Sequence, residues 1–360
     1  MTRLAFTDHR RDPGGWANQL HISNEAIELY LDSDVLDLHV DSFIWDRVFG
    51  YDLTKRHGLG LFKGAFYSQV DFPRMLEAQL SGAIWVITTN PTRSARGRER
   101  AFVKNIQRLQ AWFAKVPEQF QLVRNIREYR EARAAGKHAA FVGIQGGNAL
   151  DYKPDSLDLI PKDLVLRITL VHLSSSTLGV TSSPMKAGGD TGLTHAGAEY
   201  VRRLNEKRIF VDLAHISRKG FFDAVEVHDR SQPLIVTHTG IDAVHQHWRN
   251  LTDEQLKAIA DTGGTIGVMY QSSFLDGSTF GCKASAIVDH LAHIVETVGE
   301  DHASLGSDWD GAITPPSDMK SCLELPKLVQ LMLDRGWSDT RIRKILGGNF
   351  LRTVAALRGE

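Results

Sequence analysis

Short, nearly unbroken apolar runs alternate with longer amphipathic stretches along most of the chain. The runs at 35–40 (VLDLHV), 83–88 (AIWVIT), 139–144 (AAFVGI), 164–171 (LVLRITLV), 209–214 (IFVDLA), 233–236 (PLIV), 265–269 (TIGVM) and 302–306 (HASLG) read as eight strands. Strands that are apolar on both faces belong to a buried parallel sheet. Helical periodicity fills the gaps at 72–80, 99–116, 125–135, 196–207, 219–228, 252–260 and 284–298, and continues at 324–335, 339–346 and the C-terminus. Thr194 is a candidate cap, and TDEQ from Thr252 to Gln255 has the form of a capping box. Repeated strand–helix units imply a parallel sheet, and eight of them predict a closed (β/α)8 TIM-type barrel of the α/β class. An open doubly wound sheet is the runner-up, but no GxGxxG follows the first strand. With no Pro- or Ser-rich linker, the chain reads as a single domain: a short N-terminal extension at 1–34 packed on a barrel at 35–360. The stretch at 42–71, rich in aromatics and glycine, reads as a long loop walling the catalytic face.

Composition narrows the function more than the fold. The 42 Lys and Arg nearly balance the 43 Asp and Glu, giving a net charge of −1. No global field then favours nucleic acid or an anionic membrane. The run Arg93, Arg96, Arg98, Arg100 is local and reads as a solvated loop and helix start rather than an anion site. Cys282 and Cys322 form no CxxC pair, which fits a reducing, cytoplasmic setting, although one structural disulfide stays open. The N-terminus lacks an apolar signal-like region, and no apolar run is long enough to span a bilayer.

Candidate chemistry gathers where a barrel puts it, at the C-terminal ends of the strands. The first strand ends in His39 and Asp41, whose spacing of two puts both side chains on one face. Later strands end in Gln145, His172, His215, His238 and Asp308. Barrel closure would bring them together, and imidazole with carboxylate suits Zn(II) or another first-row metal. Asp308, in LGSDWDG, is placed to carry a proton between water and a leaving amine, while Asp310 reads as pointing to the loop or capping the next turn. Arg249 precedes a helix on the same side and suits a bidentate clamp on a carboxylate. His195, His228, His290, His293 and His302 read as structural; so do His245 and His247, although their loop lies near the substrate side.

The ordered set DLHVD (37–41), GIQGG (143–147), RITLVHLS (167–174), VDLAHIS (211–217), VTHTG (236–240), WRNLTDEQL (248–256), LGSDWDG (305–311) and ILGGNFLR (345–352) resembles the renal, or membrane, dipeptidase family of zinc peptidases. The resemblance implies that His39 and Asp41 hold one zinc and that His215 and His238 hold a second. It implies that His172 and Arg249 contact a dipeptide substrate, often with a D-residue at its C-terminal position. Asp308 would be the acid/base, and the protein a homodimer. One position departs from the pattern. Where the family has a Glu bridging both metals, this chain has Gln145, whose amide has one acceptor oxygen and a donor NH2 group. With two ions, Gln145 leaves a positive charge uncompensated, at a cost on the order of several kcal/mol in a low-dielectric site. The expectation is therefore one zinc per chain, or a weakly held second, and a metal content that rises in Gln145→Glu. Two other readings remain: a mononuclear amidohydrolase acting on an N-acyl amino acid or another small amide, and a biosynthetic or binding relative without peptidase activity.

Overall fold

The computed structural model describes residues 3–60, 62–184 and 189–359; within the predicted 1–34 and 42–71 segments, residues 1, 2 and 61 lie outside it. Nine parallel strands form one sheet: β1 Leu36–Val40, β2 Gly82–Thr88, β3 Phe120–Leu122, β4 His138–Gln145, β5 Val165–Thr169, β6 Phe210–Asp212, β7 Ile235–Thr239, β8 Thr265–Val268 and β9 Ala303–Leu305. Eight of them run in the order β1-β2-β4-β5-β6-β7-β8-β9. A bridge between Val40 and Trp309 joins the ends, so the ring is a nearly closed α/β barrel. The eight expected strands are all present, and every strand residue but two in β3 is buried.

The ninth, β3, was not expected. It pairs with His138–Ala140 at the start of β4, below the point where β5 begins pairing at Val142. Three residues bound at one edge carry too little periodicity to stand out in a sequence.

The helices follow the expected pattern, and several are started by a side chain that accepts orphan N–H groups. Ser94 caps Ala95–Ala114, Asn125 caps Ile126–Ala134, Thr194 caps His195–Glu206, and the Thr252–Gln255 capping box starts Asp253–Ala260. The expected helix at 339–346 instead turns from α to π geometry at Lys344–Gly348 before Asn349–Arg358 continues. Gly347 sits there because a Cβ would meet the Asp34 carbonyl at 2.4 Å. At the N-terminus, helices Pro13–Leu20 and Asn24–Leu31 bury Trp16 and Tyr30 edge to face. The Tyr30 hydroxyl donates to the Ala78 carbonyl at 2.7 Å, fastening this segment to the turn before β2.

Polar contacts close the ring, among them the Asp308 N–H donating to the His39 carbonyl at 3.1 Å. The Asp37 Oδ1 accepts from the Ser307 N–H at 2.9 Å, and the Asp41 N–H donates to the Trp309 carbonyl at 2.9 Å. They set the end of β1 beside the turn that carries Asp308.

Candidate metal centre

Each expected site residue lies at the C-terminal end of the barrel. His39 is in β1 and Asp41 one residue past it; Gln145 ends β4 and His238 lies inside β7. Two boundaries differ from expectation. β5 stops at Thr169, so His172 lies in the loop beyond, and β6 stops at Asp212, so His215 sits in a tight turn with φ 67°. Asp308 is also in a left-handed turn, with φ 62°. Such conformations are uncommon outside glycine, and here they aim a side chain back over the barrel mouth.

Asp41, Gln145, His172, His215, Arg249 and Asp308 line a cavity of about 270 Å³. His39 and His238 lie fully buried beneath it. The His39 and His238 rings are 3.8 Å apart, and the His215 and His238 Nε2 atoms are 2.8 Å apart. Ligand atoms of His39, His238 and Asp308 all fall within 4.8 Å of one another. Five buried polar atoms of these residues have no partner: His39 Nε2, Gln145 Oε1, His215 Nδ1, Arg249 Nε and Asp308 Oδ1. Orphaned donors and acceptors of this kind are rare in a folded interior unless a ligand or ion satisfies them.

Burial pulls His215 and His238 well below the usual imidazole range and His172 to about 4, so all three are neutral, as a ligand nitrogen must be. Burial, reinforced by the Asp41 charge, pushes the Asp308 carboxyl well above the usual carboxylate range. Burial also lowers the Arg249 guanidinium to about 10; its Nη2 donates to the His238 carbonyl at 2.7 Å, and its Nε is unpartnered.

Beneath these residues lies a polar layer that the strand-end search missed. Arg167 is fully buried in β5 and ion-paired with Asp212 of β6 at 3.1 Å. Gly143 makes room for it, since a Cβ there would meet the Arg167 Nε at 2.6 Å. The signal was an arginine inside LVLRITLV and an aspartate inside IFVDLA, each a charge in a run that otherwise reads as core.

This layer fixes two imidazoles in opposite ways. The Thr237 hydroxyl has one hydrogen and gives it to the Asp212 Oδ2 at 2.7 Å. Its contact with the His238 Nδ1 at 2.9 Å must then be donated by the ring N–H, which leaves a lone pair on the His238 Nε2. That is the ligand tautomer, held from behind by a hydroxyl and a carboxylate. His39 is the reverse. The Arg167 Nη2 lies 2.7 Å from the His39 Nδ1, and a guanidinium only donates. The His39 Nδ1 is therefore the acceptor, and the proton of the neutral ring sits on Nε2, facing Asp308 at 3.6 Å and Asp41 at 4.0 Å. A nitrogen that carries a proton cannot bind a metal. His238 thus presents a free lone pair, whereas His39, within ligand distance of His238 and Asp308, would ligate only after giving up its Nε2 proton.

The membrane dipeptidase profile, peptidase family M19, matches residues 23–358. The chain belongs to this family. A structure of a metallopeptidase from Rhodobacter sphaeroides, liganded with a phosphinate mimic of L-Ala-D-Ala, superposes with a TM-score of 0.80 at 25% identity, covering 91% of this chain and 100% of that one. The probable dipeptidase PvdM from Pseudomonas aeruginosa shares the fold, with a TM-score of 0.82 at 19% identity over 95% of this chain and 99% of that one. A Klebsiella pneumoniae protein described as uncharacterized, from the pqqA 5' region, is 36% identical over 169 residues, 45% of this chain; the match spans 60% of that relative's length.

Of the remaining expected residues, Asp310 lines the cavity and the other histidines fall outside it. His290 accepts from the Ile241 N–H at 2.8 Å and contacts the Leu275 carbonyl at 2.9 Å, a structural link. His293 pairs with Asp253, while His228 and His302 contact backbone carbonyls. His195 starts a helix. His247 stacks on Phe274 at 4.1 Å and its Nδ1 accepts from the Arg249 N–H, so it supports the wall rather than forming it. Asp310 is fully buried and pins the 42–71 segment, accepting from the Ser42 hydroxyl and from the Gln69 N–H at 2.8 Å. The 42–71 segment supplies Ile44 and Trp45 on one side of the cavity, and Gln271 and Phe274 lie on the other. Both cysteines are free thiols.

Proposed function

We propose that the protein hydrolyses the amide bond of a dipeptide with one divalent metal, zinc by family resemblance, at the cavity floor. The observation that carries this reading is the convergence of the His215 and His238 Nε2 atoms beside the unpartnered Asp308 Oδ1. A bound divalent ion would polarise the scissile carbonyl and lower the pKa of a water. His238 and His215 would hold it, with Asp308 at its edge. Asp308 Oδ1 would take a proton from water and return it to the leaving nitrogen. Arg249 would bind the substrate's C-terminal carboxylate through its free Nε edge, and His172 would orient the amide from the rim. Gln145, 3.2 Å from His215, would face substrate or the His215 ring rather than bridge metals. His39 and Asp41 would shape the field around Asp308 without ligating.

A D-residue at the C-terminal position, a homodimer and a cytoplasmic setting complete the proposal. They rest on the family resemblance and, for the last, on two reduced cysteines. Among the described residues no helix is long and apolar enough to cross a membrane. The second reading, hydrolysis of an N-acyl amino acid, is favoured by one observation. The Gln145 Oε1 is buried, unpartnered and at the cavity wall, where it can accept a hydrogen bond from a substrate amide.

The test is a screen of L-Ala-D-Ala, L-Ala-L-Ala and N-acetyl-alanine with Zn(II), Mn(II) or Co(II), paired with metal analysis. Dipeptide turnover with one tightly held equivalent per chain is the expected outcome. Turnover of N-acetyl-alanine alone would move the assignment to the second reading, and two tight equivalents would overturn the mononuclear site.

A further inference from the structure

A second cavity, of about 810 Å³, opens beside the catalytic one and shares Ile44, Thr88, His172 and Leu173 with it. One wall is the helix Ala95–Ala114, which presents Arg100, Lys104 and Arg108 at intervals of four residues. The facing wall carries Arg47, on the helix Phe43–Phe49. The floor is apolar, formed by Ile87, Phe102 and Ala149.

Not all of these cations are available. Arg98 is bidentate on Asp151, and Arg108 is paired with Asp46 at 2.7 Å. Arg100 and Lys104 make no ion pair or side-chain hydrogen bond among the described residues, and both are exposed. Arg47 donates to the Thr88 carbonyl at 3.1 Å and lies over the Phe43 ring, and its Nε is buried without a partner. Like charges four apart on a helix repel by a few tenths of a kcal/mol. The stripe therefore holds unneutralised, mutually repelling charge around a concave, partly apolar space, in a chain whose overall charge is near zero.

We infer that this groove binds a small polyanion beside the catalytic cavity. In the ring order, β2 lies four places from β7. Arg249 follows β7, while the groove opens past the end of β2. The groove thus lies across the barrel mouth from Arg249. Four residues of helix advance about 6 Å, which sets the spacing of Arg100 and Lys104. Alternate residues of an extended peptide repeat at about 6.6 Å, so acidic side chains at every second position match that spacing. An acidic oligopeptide fits best; a polyphosphate shares the charge.

The experiment is calorimetric titration of the metal-loaded Asp308→Asn protein with tri-glutamate, tri-alanine and tripolyphosphate. Tri-glutamate should bind at least tenfold tighter than tri-alanine and weaken with added salt. Arg100→Ala/Lys104→Ala should cost at least tenfold for tri-glutamate and leave tri-alanine within twofold. Both positions are exposed and alanine favours helix, so this variant should melt no lower than its parent. Tighter binding of tripolyphosphate would keep the groove and make its ligand a phosphate. Equal binding of tri-glutamate and tri-alanine, or no effect of the double substitution, overturns the inference. Turnover by the unsubstituted enzyme is measured separately. A groove that binds anions in an enzyme silent on dipeptides would overturn only the dipeptidase reading, and dipeptide turnover without anion binding would overturn only the groove.

Discussion

The two halves of the centre are built from the same residue types and prepared for different work. In the β7 half, Asp212 and Thr237 stand behind His238 and draw its proton to Nδ1, leaving Nε2 open. In the β1 half, Arg167 stands behind His39 and occupies its Nδ1, leaving the proton on Nε2. Both rings are fully buried and both face Asp308. Residue identity at the mouth therefore does not decide which ring nitrogen of a histidine carries the proton; the donor or acceptor behind the ring does.

The largest effect should come where the halves meet. Asp308→Asn keeps the shape but cannot carry the proton, so kcat should fall by about 10²–10⁴. A loss under tenfold in steady-state assays would remove Asp308 from that role.

Metal binding separates the halves directly. His238→Ala should abolish tight binding. Thr237→Val should weaken it by about 10–100-fold through loss of the partner behind the ring. His39→Ala should change affinity by less than Thr237→Val does. Equal losses in His238→Ala and His39→Ala, by competition with a chelator, would erase the asymmetry.

The asymmetry should also be convertible. Gln145→Glu restores a bridging carboxylate but leaves His39 locked, so metal content should rise above one equivalent without reaching two. Arg167→Gln offers His39 an acceptor oxygen in place of a donor. The combined variant should approach two equivalents by elemental analysis. Two equivalents in Gln145→Glu alone would show that Arg167 imposes nothing.

How far all this was legible in the sequence depends on the scale of the signal. The eight barrel strands carry dense apolar runs, and they were readable as such. The site residues His39, His238 and Asp308 were readable because recurrence at strand ends is a pattern in one dimension. The tautomers were not. Arg167 and His39 lie on β5 and β1, and only closure places one behind the other. Likewise Arg100, with Arg93, Arg96 and Arg98, read as a solvated loop and helix start, because the facing Arg47 and the shared cavity exist only once the barrel forms.

The smallest predicted effect concerns a histidine far from the metal. His138 accepts from the Trp85 Nε1–H at 3.3 Å and meets the Leu80 carbonyl through Nδ1 at 3.0 Å, so its proton is on Nδ1, as in His238. Burial lowers its pKa to about 4, against about 6.5 in an unfolded chain. Between those values the unfolded chain binds a proton that the folded one does not. Its contribution to stability is thus full above about pH 6.5 and is lost as pH falls toward 4. Melting temperature should fall over that range, less steeply in His138→Gln. Nitrogen-15 spectra at neutral pH should show His138 and His238 as Nδ1–H and His39 as Nε2–H; one shared form for His39 and His238 would refute the assignment.

The ring closes through one backbone bridge, Val40 to Trp309, together with the Asp37–Ser307 and Asp41–Trp309 contacts. These join the first strand of the chain to the last. Contacts so distant in sequence carry a large loop-closure cost and form late. The same step brings His39 beside Asp308. The Asp308 carboxylate should thus reach its place only at the final event of folding, and recovery of activity after dilution from denaturant should trail recovery of helical signal. A barrel that has gained its helices but not this seam would be folded to the eye of circular dichroism and chemically inert.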